Sequence, residues 1–382
     1  MGSGPSLADL GVAFLLGNLT VGGSETKIVR LANRLSAGSR RVHIVALGEP
    51  YTLRPNIGPR VHVECLDRTS RFSPDVLKRL KAYLVRHDIR VTVCVNTYPL
   101  IYGWPARSAA GHDGRACLAA INTSELTTLR DRLFMLLYGP ILRRCDGVIF
   151  GSHSQADAWT RQYRVPEDRT TVIHNGVDTA FFARDDVLRE TTRASLAIDP
   201  AAVVVGCVAQ FRPEKSHANL IEAVARLGTT RQTEVVVLLV GDGPEEQHLR
   251  ELVVSRGLDD RVRFVGRVDD VRPFLNAMDI FVLPSTSVEV FSNAILEAMA
   301  VGVPVISSDT GGAGEMIRDG VDGYVYPRHD VDTLTDRLRT LLDDTGLREV
   351  FRDNAHRRVG EEFTLEQMDT AYVDFINAHG MT

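Results

Sequence analysis

Short apolar segments alternate with amphipathic segments along the whole chain. Val12–Leu16 and Val235–Val240 are almost continuously apolar, which predicts strands that are buried on both faces. Between such segments, apolar residues recur three and four positions apart, as at Ile28, Leu31 and Leu35, and this spacing predicts amphipathic helices. A regular alternation of buried strands and covering helices is typical of parallel sheets with helices on both faces.

In the first half of the chain, this pattern predicts one parallel sheet with intervening helices. The predicted strands are Val12–Leu16, Val42–Leu47, Val61–Cys65, Val91–Val95, Ala116–Ile121, Gly147–Phe150 and Thr171–Ile173. The predicted helices are Glu25–Leu35, Pro74–His87, Arg130–Arg144 (kinked or broken at Pro140) and Ser154–Tyr163.

The same pattern starts again after Asn175-Gly176-Val177-Asp178, a sequence rich in turn-forming residues. The strands predicted in this second half are Val203–Ala209, Val235–Val240, Val262–Val265, Ile280–Leu283, Pro304–Ser307 and Gly323–Val325. The helices predicted there are His217–Leu227, Glu245–Arg256, Val271–Ala277, Asn293–Val301, Asp330–Leu342 and Leu347–Arg358. A last helical segment, Leu365–Ala378, has no strand after it, and we expect it to return to the first domain.

The pattern therefore predicts an α/β protein with two doubly wound, Rossmann-like domains. Their expected limits are residues 1–180 and 181–362, followed by a closing helical segment at 363–382. Sheets of this kind bind ligands outside the carboxyl ends of their strands. We therefore expect a ligand site in a cleft between two facing domains.

Charge is distributed unequally between the two halves. Residues 1–180 carry 23 Lys and Arg against 15 Asp and Glu, whereas residues 181–382 carry 21 against 34. Either the basic first domain binds an anionic partner, or surface charge has merely drifted. The segment Val76–Leu84 is a basic amphipathic helix, which fits either contact with an anionic membrane or a covering helix with a solvated basic face.

Membrane spans, secretion signals and metal sites are not predicted. No apolar run approaches the roughly 20 residues that a membrane span needs. The five cysteines contain no CxxC pair and lie mostly in or beside predicted strands, which indicates reduced core residues in a cytosolic protein. The acidic residues Asp269, Asp270, Asp330 and Asp332 resemble helix-start residues more than metal ligands.

The segment Leu283–Ile306 runs from a predicted strand through a polar loop into a short apolar helix. Glu289 lies in the loop and Glu297 in the first turns of the helix. Asn293 is the predicted N-cap, so the loop leads to a helix N-terminus with free N–H groups. Because a carboxylate among apolar residues requires partners, Glu297 favours a functional interpretation. The segment predicts a ligand with both hydroxyls and phosphates, such as a sugar nucleotide.

Further loops are candidates for phosphate contact. Gly22 and Gly23 follow the first predicted strand, where they either let backbone amides approach a ligand or form only a tight turn. This loop is not GxGxxG, so a dinucleotide site is not predicted. Arg212 and Lys215 follow the first strand of the second domain, and they either hold a diphosphate or form a solvated surface pair. Gly241 belongs to a predicted strand-to-helix turn.

Taken together, these motifs resemble the retaining glycosyltransferases of family GT4, which have the GT-B fold of two facing Rossmann-like domains. The resemblance covers nearly the whole chain, and the order and spacing of the motifs make it specific. The matching segments are VGGSE at 21–25, GSHSQAD at 151–157, VIHNGVD at 172–178, RPEKSHANL at 212–220, VGDGP at 240–244, FVGRVDDV at 264–271 and LPSTSVEVFSNAILEAMAVGVPVISSDTGGAGEMI at 283–317.

The resemblance implies transfer of a sugar from a nucleoside diphosphate sugar to an acceptor, with retained anomeric configuration and without a metal or other cofactor. The first domain would bind the acceptor, and the second would bind the donor. The implied catalytic residues are Arg212 and Lys215 on the diphosphate and Glu289 on the sugar hydroxyls. The implied substrate-binding residues are Gly22, Gly23, Asn122, Asn175, Gly241, Arg267, Val268, Phe291, Ser292, Asn293, Leu296 and Glu297.

Three positions depart from the family pattern. Val290 follows Glu289, where the family usually has glycine. Gln210 stands where a phosphate-binding arginine is common, so Arg212 would have to reach the site from two residues further on. Asn122 stands at the end of a predicted strand where many members have histidine. Asparagine can hydrogen-bond a sugar hydroxyl but cannot act as a general base.

The main hypothesis is a cytosolic retaining glycosyltransferase that uses a UDP-sugar to build surface polysaccharide or glycolipid on a glycan or lipid-linked acceptor. Its basic first domain would contact an anionic membrane peripherally, and nucleic acid is not an expected partner. Two alternatives share the fold. One is a sugar-nucleotide-binding protein without catalysis, which the three departures motivate, and the other is a sugar-nucleotide epimerase.

Overall fold

Two parallel sheets organise the chain, each within its own compact unit. The structure is a computed structural model that describes residues 10–20, 22–38, 41–108, 115–123, 129–228, 234–287 and 289–380. The first unit comprises Met1–His174 and Met368–Thr382, and the second comprises Asn175–Gln367.

The first unit contains a seven-stranded sheet in which all neighbouring strands are parallel. Its strands are β1 (Gly11–Leu16), β2 (Val42–Ala46), β3 (His62–Cys65), β4 (Ile89–Val95), β5 (Ala116–Ile121), β6 (Gly147–Phe150) and β7 (Thr170–Val172). Its helices before the second unit are α1 (Gly23–Ala37), α2 (Pro74–Arg86), α3 (Leu100–Ser108), α4 (Leu129–Leu142) and α5 (His153–Tyr163). The strand order is β3-β2-β1-β4-β5-β6-β7.

The second unit repeats this arrangement with a six-stranded parallel sheet in the order β10-β9-β8-β11-β12-β13. Its strands are β8 (Val203–Val208), β9 (Val235–Val240), β10 (Val262–Gly266), β11 (Ile280–Leu283), β12 (Val305–Ser308) and β13 (Gly323–Tyr326). The helices from here to the end of the chain are α6 (Asp186–Ser195), α7 (His217–Arg226), α8 (Glu246–Ser255), α9 (Arg272–Ala277), α10 (Asn293–Val301), α11 (Ala313–Met316), α12 (Val331–Asp343), α13 (Thr345–Glu362) and α14 (Leu365–Gly380).

The central strands are apolar because both of their faces are covered. Every residue of β1, β5 and β9 is buried, whereas β3 at the edge of the first sheet is partly exposed. This burial accounts for the near-continuous apolar runs in the sequence, since alternation with polar residues is expected only where one face meets water. The predicted α/β class and the two doubly wound sheets are confirmed.

Each sheet reverses its strand order once, and this places the loops that concern function. In the first sheet, β1 lies between β2 and β4, and in the second sheet β8 lies between β9 and β11. Connections therefore leave in opposite directions on either side of β1 and β8, which opens a crevice at the carboxyl ends of these strands. Gly22 follows β1, Lys215 follows β8 and Glu289 follows β11.

All the predicted strands form, but three helices are absent from the sequence-based prediction. These are α3, α6 and α11. Helix α3 contains Pro105 and α11 is a single turn, so neither has a recognisable helical period. Helix α6 begins at the cap Asp185, whose side chain accepts a hydrogen bond from the Leu188 amide at 2.9 Å. Helix α4 continues through Pro140 to Leu142, so of the two predicted alternatives, a kink or a break, the break is wrong.

Most of the last helix, α14, belongs to the first unit. Asp369 on α14 forms an ion pair with Arg34 on α1. The ring of Phe375 lies against Gly147 on β6, where an added Cβ would come within 2.6 Å of the ring. No helix in the described part of the chain is both long enough and apolar enough to span a bilayer.

Candidate functional site

A charged pair lies at the carboxyl ends of the two central strands of the second sheet. Lys215 ends a short 3-10 turn, Pro213–Lys215, after β8, and its Nζ donates a hydrogen bond to Glu289 Oε1. The Lys215 side chain is 22% exposed and that of Glu289 is 12% exposed. Ser285 Oγ donates a second hydrogen bond, of 2.8 Å, to the same carboxylate oxygen. The structure therefore brings together two of the three predicted catalytic residues.

Hydrogen bonds join the loops that carry this pair. The Thr286 amide donates to the Glu214 carbonyl at 2.8 Å, and the hydroxyls of Ser216 and Thr286 lie 3.0 Å apart. Thr310, which follows β12, donates its hydroxyl to the Ser285 carbonyl at 2.9 Å. Because the loops after β8, β11 and β12 are linked in this way, Lys215 and Glu289 are held by a connected network.

The backbone of Glu289 packs closely against a glycine, Gly311. Gly311 has a φ of +60°, and an added Cβ would lie 2.2 Å from the Glu289 carbonyl oxygen. The next amide, of Gly312, donates to the Val290 carbonyl at 2.8 Å. Val290 itself lies outside the left-handed region, so this loop does not need glycine there. The valine that departs from the family pattern therefore fits the observed backbone.

Replacing Gly311 with alanine is expected to disturb this support. The added methyl group would collide with backbone and would occupy a positive φ, which together cost at least about 2 kcal/mol. Gly314→Ala is the matched control, because a Cβ at Gly314 would meet nothing within 4 Å. Thermal unfolding should show a clear drop for Gly311→Ala alone. Equal melting temperatures for the two variants would contradict the supporting role.

The side chain of the third predicted catalytic residue, Arg212, lies near a different carboxylate. Its side chain is 54% exposed, and its nearest carboxylate is Glu214, with 3.8 Å between Nη1 and Oε1. Gln210, which occupies the position of the family's common arginine, is also exposed. Contact between Arg212 and a diphosphate stays a prediction. The Arg212 side chain is accessible to a ligand, and its ion pair with Glu214 is long.

Burial, together with the nearby charge of Lys215, keeps the side chain of His217 neutral. His217 begins α7 and is buried, and neither ring nitrogen has a hydrogen-bond partner among the described residues. Burial, and secondarily the Lys215 charge, lower the pKa of His217 to about 4. The positive charge beside the first turn of α7 therefore comes from Lys215 at neutral pH.

Packing explains Gly241 without a ligand. Gly241 has a φ of +145°, and an added Cβ would lie 2.1 Å from the Ala209 carbonyl oxygen. Its amide donates to the Gly266 carbonyl at 2.9 Å. Nearby, Arg267 is exposed, and Val268 is half-buried against the core. The predicted ligand contacts of Gly241, Arg267 and Val268 stay predictions.

The start of α10 differs from the sequence-based prediction. The N-cap is Ser292 rather than Asn293, and its side chain makes no capping hydrogen bond. The predicted N-cap is therefore wrong by one residue, since Asn293 already has helical geometry. Phe291 is buried with its ring 5.3 Å from that of Phe363, and its carbonyl accepts a 2.7 Å hydrogen bond from Asn175 Nδ2. Asn175 thus orients the backbone just before the helix.

The remaining candidates on α10 differ in accessibility. Glu297 is half-buried, on the second turn of the helix. Asn293 Oδ1 is buried and accepts no hydrogen bond from the described residues, so it is available to a donor. Leu296 is fully buried, and its amide donates to the Ser292 carbonyl at 3.3 Å. Ligand contact at Leu296 would require the helix to move, and the contacts of all three residues stay predictions.

Two of the acidic residues considered as possible metal ligands, Asp270 and Asp330, accept hydrogen bonds from nearby protein groups. Asp270 accepts a 2.6 Å hydrogen bond from Arg272 Nη2, and this bond lowers the pKa of the carboxyl group. Asp330 caps α12 by accepting hydrogen bonds from the Thr333 amide at 2.9 Å and its hydroxyl at 2.7 Å. Asp330 is therefore the N-cap of α12, as its interpretation as a helix-start residue predicts, whereas Asp270 precedes Val271, the N-cap of α9. The expected absence of a metal site stays a prediction.

In the first unit, the glycine loop precedes α1. Gly22 is the N-cap with an extended backbone, and its carbonyl accepts a 2.9 Å hydrogen bond from the Thr26 amide. A Cβ on Gly23 would meet nothing within 4 Å, so open space lies beside this residue. Residue 21 of the same motif lies outside the described residues. Ligand contact at Gly22 and Gly23 stays a prediction.

Asn122 belongs to a polar network that sequence reasoning missed. It follows β5, and its Oδ1 accepts a 2.6 Å hydrogen bond from Nζ of the buried Lys27 on α1. The Asn122 amide donates to Asn96 Oδ1 at 2.9 Å. Burial, reinforced by Arg30, lowers the pKa of Lys27 to about 8. The sequence did offer one indication that Lys27 is buried. Lys27 lies four positions before Leu31, which places it on the apolar face of α1.

Two protein-family models match the sequence, one in each half of the chain. The family model described as "Glycosyltransferase Family 4" matches residues 21–181, and that described as "Glycosyl transferases group 1" matches residues 189–358. Together they cover both units.

Two curated relatives and one solved structure illustrate the likeness. Lipopolysaccharide core biosynthesis glycosyltransferase LpsE of Rhizobium meliloti (strain 1021) is 36% identical over 48% of this chain and 52% of its own length. N-acetyl-alpha-D-glucosaminyl L-malate synthase of Bacillus anthracis is 26% identical over 94% of this chain and 95% of its own length. Anabaena Alr3699/HepE, solved in complex with UDP, superimposes with a TM-score of 0.87 at 21% identity, covering 97% of this chain and 100% of that one.

The LpsE match spans about half of that relative's length, whereas the family models and the superposition cover both units. The strand orders, the charged pair after β8 and β11 and these matches lead to one assignment. The chain belongs to the group 1 and family 4 glycosyltransferases and has the GT-B fold.

Proposed function

We propose that this glycosyltransferase transfers a sugar from a nucleoside diphosphate sugar, with UDP as the preferred nucleotide, to a glycan or lipid-linked acceptor, with retained configuration and without a metal. The observation that carries the donor proposal is the Lys215–Glu289 pair at the carboxyl ends of β8 and β11. UDP in the Anabaena structure supports the choice of nucleotide. The name of LpsE supports a surface glycan as the product.

In this proposal, Lys215 and Glu289 act on neighbouring parts of the donor. The Lys215 ammonium binds the diphosphate and stabilises the negative charge that develops as the bond from the anomeric carbon to the phosphate oxygen breaks. Glu289, held by Ser285 at 2.8 Å, accepts hydrogen bonds from the sugar hydroxyls. The acceptor hydroxyl forms the new bond on the face that the diphosphate leaves, and its proton passes to a phosphate oxygen of the leaving group.

The remaining predicted contacts complete the donor site and the acceptor site. Glu297 would bind the ribose hydroxyls, and Arg267 with Val268 would lie against the base. Gly23 would offer backbone amides to phosphate. Asn122 would bind an acceptor hydroxyl in the first unit. These roles rest on the family resemblance and, for Arg267, Val268 and Asn122, on positions in the loops after the strands.

A donor screen tests the proposal. UDP, GDP and ADP sugars should be compared by thermal shift, where a ligand of the folded state at a hundredfold excess over Kd adds about 2.7 kcal/mol of stability. We expect a UDP-sugar to stabilise the protein most and to be turned over in the presence of EDTA. Absence of both nucleotide binding and turnover would overturn the proposal.

The same screen separates the two alternatives. Nucleotide binding without a product, across a broad panel of acceptors, would favour a non-catalytic binding protein. Conversion of the donor sugar without any acceptor would favour an epimerase.

We also propose that the first unit contacts an anionic membrane peripherally, on its cytoplasmic face, through α2. Lys78 and Arg79 are exposed on this helix, and Phe72 and Val85 near its two ends are 56% and 51% exposed. Basic residues beside exposed apolar ones suit an interfacial helix. Sedimentation with phosphatidylglycerol vesicles should carry the protein down, and equal sedimentation with phosphatidylcholine vesicles would contradict the charge-based contact.

A further inference from the structure

Two arginines and three tyrosines form a compact group in the first unit. We call Arg68, Arg71, Tyr98, Tyr102 and Tyr138 the Arg–Tyr cluster. Its two arginines follow β3, Tyr98 follows β4, Tyr102 lies on α3 and Tyr138 lies on α4. None of these residues has a role in the donor site proposed above.

The cluster lies at the carboxyl ends of central strands. A Cβ on Gly17, which follows β1, would lie 3.7 Å from the Tyr98 ring. A Cβ on Gly48, shortly after β2, would lie 3.4 Å from Arg68 Nε. The cluster is therefore beside the point where the strand order of the first sheet reverses, which is where doubly wound sheets bind ligands.

Hydrogen bonds hold the cluster in a defined geometry. Arg68 Nη1 donates to the Tyr98 hydroxyl, and Arg71 Nη2 donates to the Tyr138 hydroxyl at 3.0 Å. The hydroxyls of Tyr98 and Tyr102 in turn donate to the Arg71 carbonyl at 2.8 and 2.9 Å. These bonds fix the segment between β3 and α2, so the two guanidinium groups are pre-oriented.

The positive charge of the cluster is not compensated within the described residues. Neither Arg68 nor Arg71 forms an ion pair there, and their Nε atoms are buried without an acceptor. The adjacent Asp67 is engaged with the Tyr51 hydroxyl at 2.6 Å. Both guanidinium carbons also lie near one ring, at 4.6 and 5.4 Å from the Tyr98 centroid. Two like charges held close together without a carboxylate favour a bound anion.

We propose that the Arg–Tyr cluster binds an anionic group of the acceptor, a phosphate or a carboxylate. Arginine forks match the oxygen geometry of either group. The neighbouring aromatic rings offer flat apolar surfaces to the adjoining sugar or carbon skeleton. The inference rests on the proposed function, because it assigns the cluster to the acceptor of that transfer, and it narrows the acceptor to an acidic molecule.

Binding of small acidic sugars tests this site. Calorimetric titrations of the full chain should use glucose 6-phosphate, glucuronate, inorganic phosphate and neutral glucose as probes. We expect glucose 6-phosphate or glucuronate to bind, glucose not to bind, and the preference between the two acids to identify phosphate or carboxylate as the natural group. The double variant Arg68→Gln/Arg71→Gln should weaken this binding by roughly tenfold or more.

Two further variants make the result specific. Arg161→Gln removes an exposed charge on α5 of the same unit and should leave binding unchanged. Arg68→Lys/Arg71→Lys keeps the charge but loses the planar fork, so it should bind with intermediate affinity and covers the case in which the glutamine variant fails to fold.

UDP binding by the same samples separates this inference from the proposed function. We expect the double variants to keep UDP affinity, since Lys215 and Glu289 are unaltered. Wild-type protein that binds UDP but discriminates in no way between glucose and the acidic sugars would overturn the acceptor inference alone. Loss of UDP binding and turnover in the wild type would overturn the proposed function instead.

Discussion

Lys215→Ala is expected to lower kcat for sugar transfer by about 10²–10³-fold, with a smaller change in donor KM. Lys215 is the cation that the structure places against Glu289 at the end of β8. A charge that acts on the leaving diphosphate contributes mainly in the transition state, and loss of one such contact typically has this magnitude. The measurement is steady-state kinetics with the donor that the thermal-shift screen identifies.

The same substitution should also lower stability. Without the ammonium group, the Glu289 carboxylate keeps only the Ser285 hydroxyl among the partners described above, and it is 12% exposed. Leaving a largely buried carboxylate short of a partner costs about 1–3 kcal/mol. Kinetics should therefore be measured well below the melting temperature of the variant, so that unfolding does not mimic loss of catalysis.

Arg226→Ala provides the matched control for Lys215→Ala. Arg226 is the last residue of α7, at the opposite end of this helix from the Lys215 turn, and it pairs with the exposed Asp332. We expect this variant to keep nearly full activity. A fully active Lys215→Ala protein, or equal losses in both variants, would remove Lys215 from the catalytic site.

The strands were predictable because strands that are buried on both faces appear in the sequence as continuous apolar runs. Val235–Val240 is apolar throughout and fully buried as β9, so its limits agree at both ends. Helix α6 had no such signal, because polar contacts dominate its attachment. Arg193 on α6 donates to Asp279 at 2.6 Å, and Asp279 also accepts from the Val204 amide at 2.7 Å. A helix anchored by buried ions does not show an apolar stripe.

The candidate site was predictable where recognisable sequence motifs follow the strands. The family resemblance placed Glu289 and Lys215 in one site, and the structure joins them by a hydrogen bond. Their hydrogen bond was not predictable, since it depends on the packing of two loops that are distant in sequence. The cap of α10 failed for a related reason, because Ser292 and Asn293 are both favourable capping residues and only the backbone distinguishes them.

Lys27 is expected to make the stability of the first unit depend on pH. Its ammonium group is buried, donates to Asn122 at 2.6 Å and lies 5.9 Å from the centroid of the Tyr372 ring. Burial lowers its pKa from 10.5 to about 8 in the folded state. At pH values between about 8 and 10.5, Lys27 is protonated in the unfolded chain but largely deprotonated in the folded protein. The free energy of unfolding should therefore rise with pH across this window, by about 3 kcal/mol in total.

Lys27→Met isolates this contribution, since methionine fills similar space without a titrating group. The difference in unfolding free energy between wild type and Lys27→Met should shift by about 2 kcal/mol in favour of wild type from about pH 7.5 to about pH 9.5. Urea unfolding at both pH values measures it. Lys78→Met, at an exposed position on α2, should show no comparable shift. The prediction would be wrong if the difference in unfolding free energy between wild type and Lys27→Met were the same at both pH values. Lys27 would then not be buried as a charged group, and its network with Asn122 and Asn96 would have to be neutral or open to water.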